Sequence, residues 1–252
     1  MYVAASSRCF ATLPLDAALT RLVDLEYSFV EIAIHERGGH LKPSEVLADF
    51  STALKACRRT QRLTVTAYSV DIEARDAGEY YRQFQAVCRL AKAAKVVTLV
   101  VRAGPLGTPF NEEIERLRRM VAIASQEGSV VGLLTESGRL SHDAATTKSL
   151  CDNVPGLAVT LDPSHLMLDS TQPKIGKMED LLPKAVHVRL RDSTPKELQV
   201  RIGQGEVEYG KLVTQLEKVQ YNNALCVDLA AIPDTDQNAE MRKMRLLLES
   251  LL

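Results

Sequence analysis

The chain has 252 residues, of which 46% are hydrophobic, so it is long enough to form one large domain with a sizeable core. Its 31 basic and 32 acidic side chains give a net charge of −1, which excludes a general electrostatic attraction for nucleic acid or for an anionic membrane. We find neither a signal peptide nor a segment with the ~20 apolar residues of a membrane span, and therefore expect a cytoplasmic protein.

The cysteines favour the same location. Their number, five, is odd, they are scattered along the chain, and no two form a Cys-x-x-Cys pair. This pattern is typical of reduced thiols in a cytosol rather than of a disulfide framework.

Eight short runs rich in β-branched and aliphatic residues are predicted to be strands, and amphipathic segments alternate with them. The predicted strands span residues 2–6, 29–35, 62–68, 96–102, 129–136, 157–162, 185–190 and 224–229. The predicted helices span residues 14–27, 42–59, 78–95, 111–128, 142–154, 177–183, 209–220 and 238–252. Ser44 is a candidate N-cap of the second helix, and Gly128 is a candidate C-cap of the fourth.

The predicted strands begin about every 30 residues, which is the length of a βα unit. Eight such units are what a (β/α)8 TIM barrel requires, and no linker or low-complexity segment divides residues 1–252. The alternative, a doubly wound open sheet, usually has fewer strands and often a glycine-rich first turn, whereas AASSRCF contains no glycine. We therefore favour a single-domain α/β protein with one TIM barrel.

Carboxylates end three of the last four predicted strands: Glu136 the fifth, Asp162 the sixth and Asp228 the eighth. Side chains two residues apart share a face of a strand, and the residues in phase with these carboxylates are mostly small. Those out of phase are large and aliphatic. Because catalytic side chains of a barrel lie at the carboxyl ends of its strands, we expect the three carboxylates to face one mouth.

Three carboxylates at one mouth require a positive charge, because burying unpaired ionised groups is costly. A divalent cation, with His165 completing its ligand shell, is one source of that charge, and arginine is the other. Taken singly, each carboxylate has a simpler explanation as a helix N-cap or a surface charge, and Asp162 with Pro163 could start a turn. Their joint occurrence on three strands favours a site.

Several segments then show a family resemblance. LLTESGR, TLDPSHLML, AVHVRLRDS with VRIGQGEVEYGKL, and NNALCVDL resemble, in that order, the last four strand ends of the xylose isomerase-like barrel family. The segment VAASSRCFATLPLDAALTRLVDLEYSFVEIAI is similar to the family's opening βαβ unit, so the resemblance covers essentially the whole chain. The family contains sugar and sugar-phosphate isomerases and epimerases, hydroxypyruvate isomerase and abasic-site endonucleases.

The resemblance implies a divalent metal, often Mn²⁺ or Mg²⁺, with Zn²⁺ as a further candidate. In the family it is held by a Glu on strand five, an Asp on strand six, a His or Gln on strand seven and a Glu on strand eight. Glu136 and Asp162 match the first two positions, and Asp228 stands at the fourth with a side chain one methylene shorter. In the isomerases the carboxylates of strands five and eight move a proton through an enediol, which implies Glu136 and Asp228 as the catalytic pair.

The seventh strand departs from this pattern. Its ligand position falls on Arg189, while His187 has the same parity but lies one layer deeper, ~6.6 Å down the strand at ~3.3 Å per residue. Arginine stays charged and forks onto carboxylates, so Arg189 could neutralise all three carboxylates in place of a cation. A metal held by His187 and the three carboxylates, and a metal-free barrel in which Arg189 replaces the ion, both remain open.

Further residues are predicted to bind the substrate. The resemblance places His165 near substrate or metal, and Glu31 and His35 near the substrate end of strand two. Basic residues after the strands, together with Arg189, are either solvated rim charges or ligands of an anionic substrate such as a sugar phosphate or sugar acid. They are Lys42, Arg102, Arg139, Arg191 and Arg201. The glycine-rich loop IHERGGHLKPSEV is either a flap over the site or a plain connection.

Three functions are compatible with these residues. The first is an isomerase or epimerase of a small sugar, sugar phosphate or hydroxy-keto acid. The second is a barrel without metal or turnover that binds a small anion. The third, an abasic-site endonuclease, is disfavoured because its multi-zinc cluster needs many histidines and the chain has five. We expect a small-molecule partner, no nucleic acid and no membrane, and a homo-oligomer is compatible with the sequence.

Overall fold

The computed structural model describes residues 1–168 and 178–252 and contains a closed barrel of eight parallel strands. Each strand pairs with the next along the chain and the last pairs with the first, which confirms the predicted (β/α)8 barrel. The strands are β1 (Tyr2–Ser6), β2 (Phe29–His35), β3 (Thr64–Asp71), β4 (Thr98–Arg102), β5 (Val130–Leu134), β6 (Ala158–Leu161), β7 (Ala185–Leu190) and β8 (Ala224–Val227).

Helices connect the strands on the outside of the barrel. Those of the described residues are α1 (Leu15–Asp24), α2 (Pro43–Ala48), α3 (Phe50–Arg58), α4 (Ala77–Ala94), α5 (Phe110–Gln126), α6 (Ala144–Asn153), α7 (Pro163–Met167), α8 (Tyr209–Lys218) and α9 (Gln237–Glu249). Two 3₁₀ turns, Ser7–Phe10 and Leu182–Lys184, complete the elements. Of the helices in this part of the chain, none is long and apolar enough to span a bilayer.

The predicted strand positions are confirmed, and three of them, β1, β2 and β7, have the predicted bounds. The third strand differs, because it runs over Thr64–Asp71 rather than residues 62–68. Its end is set by pairing with β2, whose last residue His35 lies opposite Asp71. The apolar run in the sequence stops earlier, and the extension brings a further carboxylate to the barrel mouth.

The predicted helix over residues 42–59 is divided in two. Asp49 leaves the helical conformation, with φ −138° and ψ 80°, and its side chain accepts the N–H of Thr52 at 3.0 Å to cap α3. The prediction of Ser44 as N-cap was wrong, because α2 begins at Pro43 and the Ser44 hydroxyl donates to Glu36 at 2.7 Å. The cap at Asp49 therefore divides a segment whose amphipathic pattern is continuous into two helices.

The other predictions of helix positions and ends agree with the structure only in part. Gly128, with φ 74°, follows the last residues of α5 as a terminating glycine should. The short helix α7 was not predicted; Asp162 caps it by accepting the N–H of Ser164 at 3.0 Å. The predicted helix over residues 177–183 begins outside the described residues, and its last residues enter the second 3₁₀ turn.

Alternation along the strands separates two kinds of packing. Outward-facing residues such as Val159, Leu161, Leu225 and Val227 belong to the main apolar core against the helices. Inward-facing residues form small separate clusters, one of Ala4, Ala224 and Cys226 and another of Ala67, Val100 and Leu134. The apolar filling of the barrel axis is therefore small, and polar side chains take the remaining space. All five cysteines are buried and free.

β5 and β6 pack so closely at Gly132 that an added side-chain atom there should destabilise the barrel. A Cβ on Gly132 would lie 2.5 Å from Thr160 Oγ1 and 3.2 Å from Val186 Cγ2. We expect Gly132→Ala to lower the free energy of unfolding by about 1–3 kcal/mol through overpacking, measured by urea denaturation. Gly210→Ala in α8, where the nearest atom lies at 3.9 Å, is the matched control and should leave stability unchanged or slightly raised. Equal denaturation midpoints for both variants would contradict the close packing.

Candidate active site

A cavity of about 400 Å³ opens at the carboxyl end of the barrel, which is the size of a small-molecule site. Charged and polar side chains dominate its lining. Its arginines and histidines include Arg8, Arg102, Arg189, Arg191, His35 and His165. Carboxylates lie among these groups, and the ion pairs that they form define the chemistry of the cavity.

Arg191 holds two of the three predicted carboxylates together. Its Nη2 donates to Asp162 Oδ2 at 2.8 Å and to Asp228 Oδ2 at 3.1 Å. Both carboxylates are almost completely buried. The ends of β6 and β8 are therefore bridged by a single nitrogen that comes from the residue after β7.

Arg189 lies deeper in the barrel and pairs with a different carboxylate. Its Nε and Nη2 donate to the two oxygens of Glu31 on β2, at 3.1 Å and 2.8 Å. His187, one layer further down β7, lies with Nε2 3.0 Å from Glu31 Oε2. Arg189 is also 3.8 Å from Asp228 Oδ2. Glu31 was predicted near the substrate, but it is fully buried beneath the cavity.

Glu136, after β5, belongs to a separate group of charges. Arg102 at the end of β4 donates to both of its oxygens, at 2.8 Å and 2.5 Å, and to Asp71 Oδ2 at 2.8 Å. Arg139 lies 3.9 Å from Glu136 Oε2. The Glu136 side chain keeps 13% of its surface exposed.

Of the three carboxylates that Arg189 was expected to neutralise in the metal-free alternative, it is within ion-pair distance of Asp228 only. Arg191 pairs with Asp162 and Asp228, and Arg102 pairs with Glu136. Arg189 and Arg191 reach different carboxylates because they start at different heights along the barrel axis. Residues 189 and 191 both point inward, but Arg189 starts two residues deeper and meets the carboxylate at its own level on β2.

These arginines keep the carboxylates ionised. Burial raises the pKa of Asp228, but the charges of Arg8, Arg189 and Arg191 outweigh burial and hold its pKa well below the ordinary value. Burial likewise raises the pKa of Glu31, and Arg189 and His187 bring it down to about 2. For Glu136, Arg102 outweighs burial, so the pKa is lowered overall.

The two histidines of the cavity are neutral near pH 7. Burial lowers the pKa of His165. Burial, followed by the charges of Arg8 and Arg189, lowers that of His35 to about 4. The backbone N–H of Ser137 donates to His165 Nδ1 at 3.2 Å, so the ring proton of the neutral imidazole lies on Nε2. His165 therefore offers a hydrogen-bond donor rather than a base.

The four residues predicted to ligate a metal do not fit a divalent cation in this arrangement. Such an ion needs carboxylate oxygens within ~2.0–2.6 Å. The position between Asp162 and Asp228 is taken by Arg191 Nη2, and both oxygens of Glu136 accept from Arg102. His187 is directed at Glu31, one layer below the mouth.

One other group among the described residues has ligand atoms close enough for a metal. Glu31, His187 and Cys226 bring one ligand atom each within 4.8 Å of the others. Both Glu31 oxygens already accept from Arg189, and burial raises the pKa of the Cys226 thiol well above its ordinary value. A protonated thiol beside a guanidinium is a poor donor set for a cation.

Two other predicted substrate ligands lie on the rim. Arg201 is exposed and its Nε donates to Thr235 Oγ1 at 3.0 Å, while Lys42 pairs with Glu45 at 3.1 Å. The loop after β2 is anchored through His40, whose Nδ1 lies 3.1 Å from the buried Ser7 hydroxyl.

Sequence reasoning missed four charged groups of the cavity, Arg8, Arg37, Asp71 and Glu73, of which Asp71 and Arg8 contact the predicted site residues. Asp71 was omitted because the third strand was ended too early, although parity with Ser69 placed it on the inner face. Arg8 was omitted because it follows β1 in a 3₁₀ turn rather than ending a strand. Continued alternation is the signal that could have found both, because Asp71 lies two residues after the inward-facing Ser69 and Arg8 lies two residues after Ser6, the last residue of β1.

The glycine-rich segment after β7 fixes the loop beside the site. Asp192 Oδ2 accepts the backbone N–H groups of Gly203 and Gly205, at 2.7 Å and 3.0 Å. A Cβ on Gly205 would lie 2.0 Å from Asp192 Oδ1, so only glycine fits there. The segment IGQGE thus closes onto the residue that follows Arg191.

Comparison with known proteins now identifies the class. A family model described as a xylose isomerase-like TIM barrel matches residues 19–249. The chain therefore belongs to the xylose isomerase-like TIM barrel family. No curated protein sequence matches it.

Solved structures share the fold over the full length. A xylose isomerase domain protein from Alicyclobacillus acidocaldarius has a TM-score of 0.78 at 15% identity, with 100% of this chain and 98% of that chain covered. A D-psicose 3-epimerase from Clostridium cellulolyticum also has a TM-score of 0.78, at 12% identity and 100% and 99% coverage. A 3-keto-D-glucoside 4-epimerase from E. coli has 0.75 at 13% identity, with 99% of each chain covered.

The arginine bridge at the mouth predicts a large stability loss when it is removed. Arg191→Met leaves Asp162 and Asp228 without their hydrogen-bonded cation, and we expect a loss of about 3–5 kcal/mol in the free energy of unfolding. Urea denaturation at neutral pH measures it. Arg82→Met, which removes an exposed arginine bound to Glu79 on α4, should have little effect. Similar losses in the two variants would refute the bridge.

The lowered pKa of Glu31 predicts how the free energy of unfolding depends on pH. Its folded-state pKa of about 2 lies below the ordinary 4.5, so the stability it contributes is complete above about pH 4.5 and is lost as the pH falls toward about 2. We expect Glu31→Gln to be less stable than wild type at neutral pH, with the difference shrinking across that interval. Urea midpoints over this pH range test it. A difference that stays constant down to pH 2 would show that Glu31 is not the titrating group.

Proposed function

We propose that this protein is an isomerase or epimerase of a small sugar or sugar derivative, such as a sugar phosphate or hydroxy-keto acid, bound in the mouth cavity. One observation carries the proposal: an ionised, partly exposed carboxylate, Glu136, shares a cavity of about 400 Å³ with several guanidinium groups at the functional end of the barrel. Structural neighbours named as sugar epimerases support the reaction class.

The proposed chemistry is proton transfer next to a carbonyl group. The Glu136 carboxylate takes a proton from the carbon beside the carbonyl, and the electron pair of that C–H bond moves onto the carbonyl oxygen to form an enediolate. Return of this proton from Glu136 to the neighbouring carbon isomerises the sugar. Delivery of a proton to the opposite face of the first carbon epimerises it; Asp228, the predicted partner of Glu136, is ionised and performs this transfer only after it has taken up a proton from solvent.

The cationic groups make this transfer feasible with a weak base. The lowered pKa of Glu136 reduces its basicity, so the substrate must be acidified instead. Arg191 and the Nε2–H of His165 both line the cavity and can donate to the oxygen on which charge develops. Arg102, which forks onto Glu136, orients the carboxylate.

This mechanism routes no step through a metal. The arginine pairs of Asp162, Asp228 and Glu136 support a site in which guanidinium groups supply the positive charge. A small sugar is the inferred partner, and a cytoplasmic location and a homo-oligomer remain predictions of the sequence.

A second candidate is a barrel that binds a small anion without turnover. Asp228 favours it, because this carboxylate is buried, strongly ionised and surrounded by Arg8, Arg189 and Arg191 at 3.6, 3.8 and 3.1 Å. A group held in this way releases and accepts a proton less readily than a free glutamate at the same strand end.

Solvent exchange separates the two candidates. The protein is incubated in D₂O with D-ribulose, D-tagatose and their phosphates, and loss of the C–H signal next to the carbonyl is followed by ¹H NMR. We expect deuterium incorporation by wild type and a rate about 10²–10⁴-fold lower for Glu136→Gln. Glu115→Gln, which also removes a glutamate paired with an arginine but on the exposed face of α5, is the matched control and should keep the wild-type rate.

Two results would change the assignment. Binding of a sugar without any exchange would favour the second candidate. Unchanged exchange in Glu136→Gln would remove this residue as the base.

A further inference from the structure

One arginine of the mouth cavity is held differently from the others. Arg8 lies in the 3₁₀ turn Ser7–Phe10, directly after β1, with 41% of its side-chain surface exposed. By contrast, the side chains of Arg189 and Arg191 are 2% and 11% exposed. Apart from Arg37, which lies at the outer rim with 84% of its side chain exposed, Arg8 is therefore the most exposed of these arginines of the cavity.

The guanidinium of Arg8 has unused hydrogen-bonding capacity. Arg102, Arg189 and Arg191 each donate at least two hydrogen bonds to carboxylates. Within residues 1–168 and 178–252, the Arg8 side chain has a single carboxylate neighbour, Asp228 Oδ2, at 3.6 Å, which is too long for a hydrogen bond. That oxygen already accepts from Arg191 at 3.1 Å. Among the described residues, the five N–H donors of Arg8 thus make an ion pair with Asp228 but no hydrogen bond to a carboxylate.

The backbone that carries Arg8 is firmly fixed. Its neighbour Cys9 lies with Sγ 3.4 Å from the carbonyl oxygen of Val227, and the N–H of Leu229 points at the same sulfur at 3.2 Å. Ser7, on the other side, is fully buried and accepts the N–H of Ala33 at 3.0 Å. An exposed arginine on a buried, anchored turn has a defined position relative to β8.

Charge at this part of the cavity is balanced only when Arg8 is included. Glu31, Asp162 and Asp228 carry three negative charges, Arg189 and Arg191 supply two positive charges in direct contact with them, and the adjacent His35 is neutral near pH 7. An uncharged hydroxyl uses one or two of the donors of a guanidinium. A carboxylate or a phosphate matches its fork and its charge together.

We propose that Arg8 binds an anionic group of the substrate, a carboxylate or a phosphate, and so selects charged sugars over neutral ones. This inference rests on the proposed function for the sugar, and adds the substrate class and the residue that determines it. The anionic group docks on Arg8 at the β1–β8 side, while the carbon skeleton extends across the cavity toward Glu136.

Calorimetric titration of matched sugars tests the inference. The pairs are D-ribulose 5-phosphate with D-ribulose, and D-tagaturonate with D-tagatose, so that the two pairs distinguish a phosphate from a carboxylate. We expect the charged member of one pair to bind wild type at least ~10-fold tighter than its neutral partner. Arg8→Gln should abolish this advantage and leave neutral-sugar affinity unchanged, and Arg8→Lys should restore part of it.

Arg37→Gln is the matched control. Arg37 is also a mouth arginine, but 84% of its side chain is exposed and it pairs with Glu73 at 2.6 Å, so the charge preference should persist in this variant. Thermal denaturation of each variant verifies folding. Equal affinity for charged and neutral sugars, no binding of any charged sugar, or loss of the preference in Arg37→Gln instead of Arg8→Gln would overturn the inference.

The outcome is separable from that of the isomerase proposal. Charge-selective binding that depends on Arg8, without deuterium exchange, would keep the inference and remove turnover. Deuterium exchange into neutral ketoses, without tighter binding of charged sugars, would remove the inference and keep the isomerase proposal.

Discussion

Carboxylates enclosed by a barrel must be matched by positive charge, and the rest of this site depends on how that match is made. Asp162 and Asp228 share one nitrogen of Arg191, while Arg189 spans the barrel to Glu31. Buried ion pairs add little net stability over apolar packing, but removing one partner is costly. The arginines therefore fix the geometry and the ionisation of the mouth more than they stabilise the fold.

A guanidinium and a divalent cation do different chemistry at the same place. A cation binds substrate oxygens directly as a Lewis acid, whereas a guanidinium donates hydrogen bonds in a fixed plane and favours developing oxyanions. Alternation on β7 sets Arg189 and Arg191 at successive inward heights, and each takes the carboxylate at its own level. Proton transfer by carboxylates assisted by hydrogen bonds is the chemistry that we propose for this arrangement.

The sequence predicted the barrel, the strand positions and the inward face of the last four strands, because these follow from chain-local periodicity. The pairing of charges did not follow, since it depends on which strands lie opposite one another and on the reach of arginine. Glu31 is an example: the family resemblance placed it near the substrate end of strand two, but only the three-dimensional arrangement reveals that Arg189 covers it. Arg8 lies in a turn that has no periodic signal, and Asp71 was lost because strand pairing, not hydrophobicity, ends β3.

The metal content of the purified protein tests the replacement of a cation by arginine most directly. The protein is equilibrated with Mn²⁺, Mg²⁺ and Zn²⁺, passed through a desalting column, and analysed by mass spectrometry of the elements. With guanidinium nitrogen between Asp162 and Asp228, less than a tenth of an equivalent of any of these metals should remain bound. About one equivalent retained by wild type and lost in Asp162→Asn would contradict it.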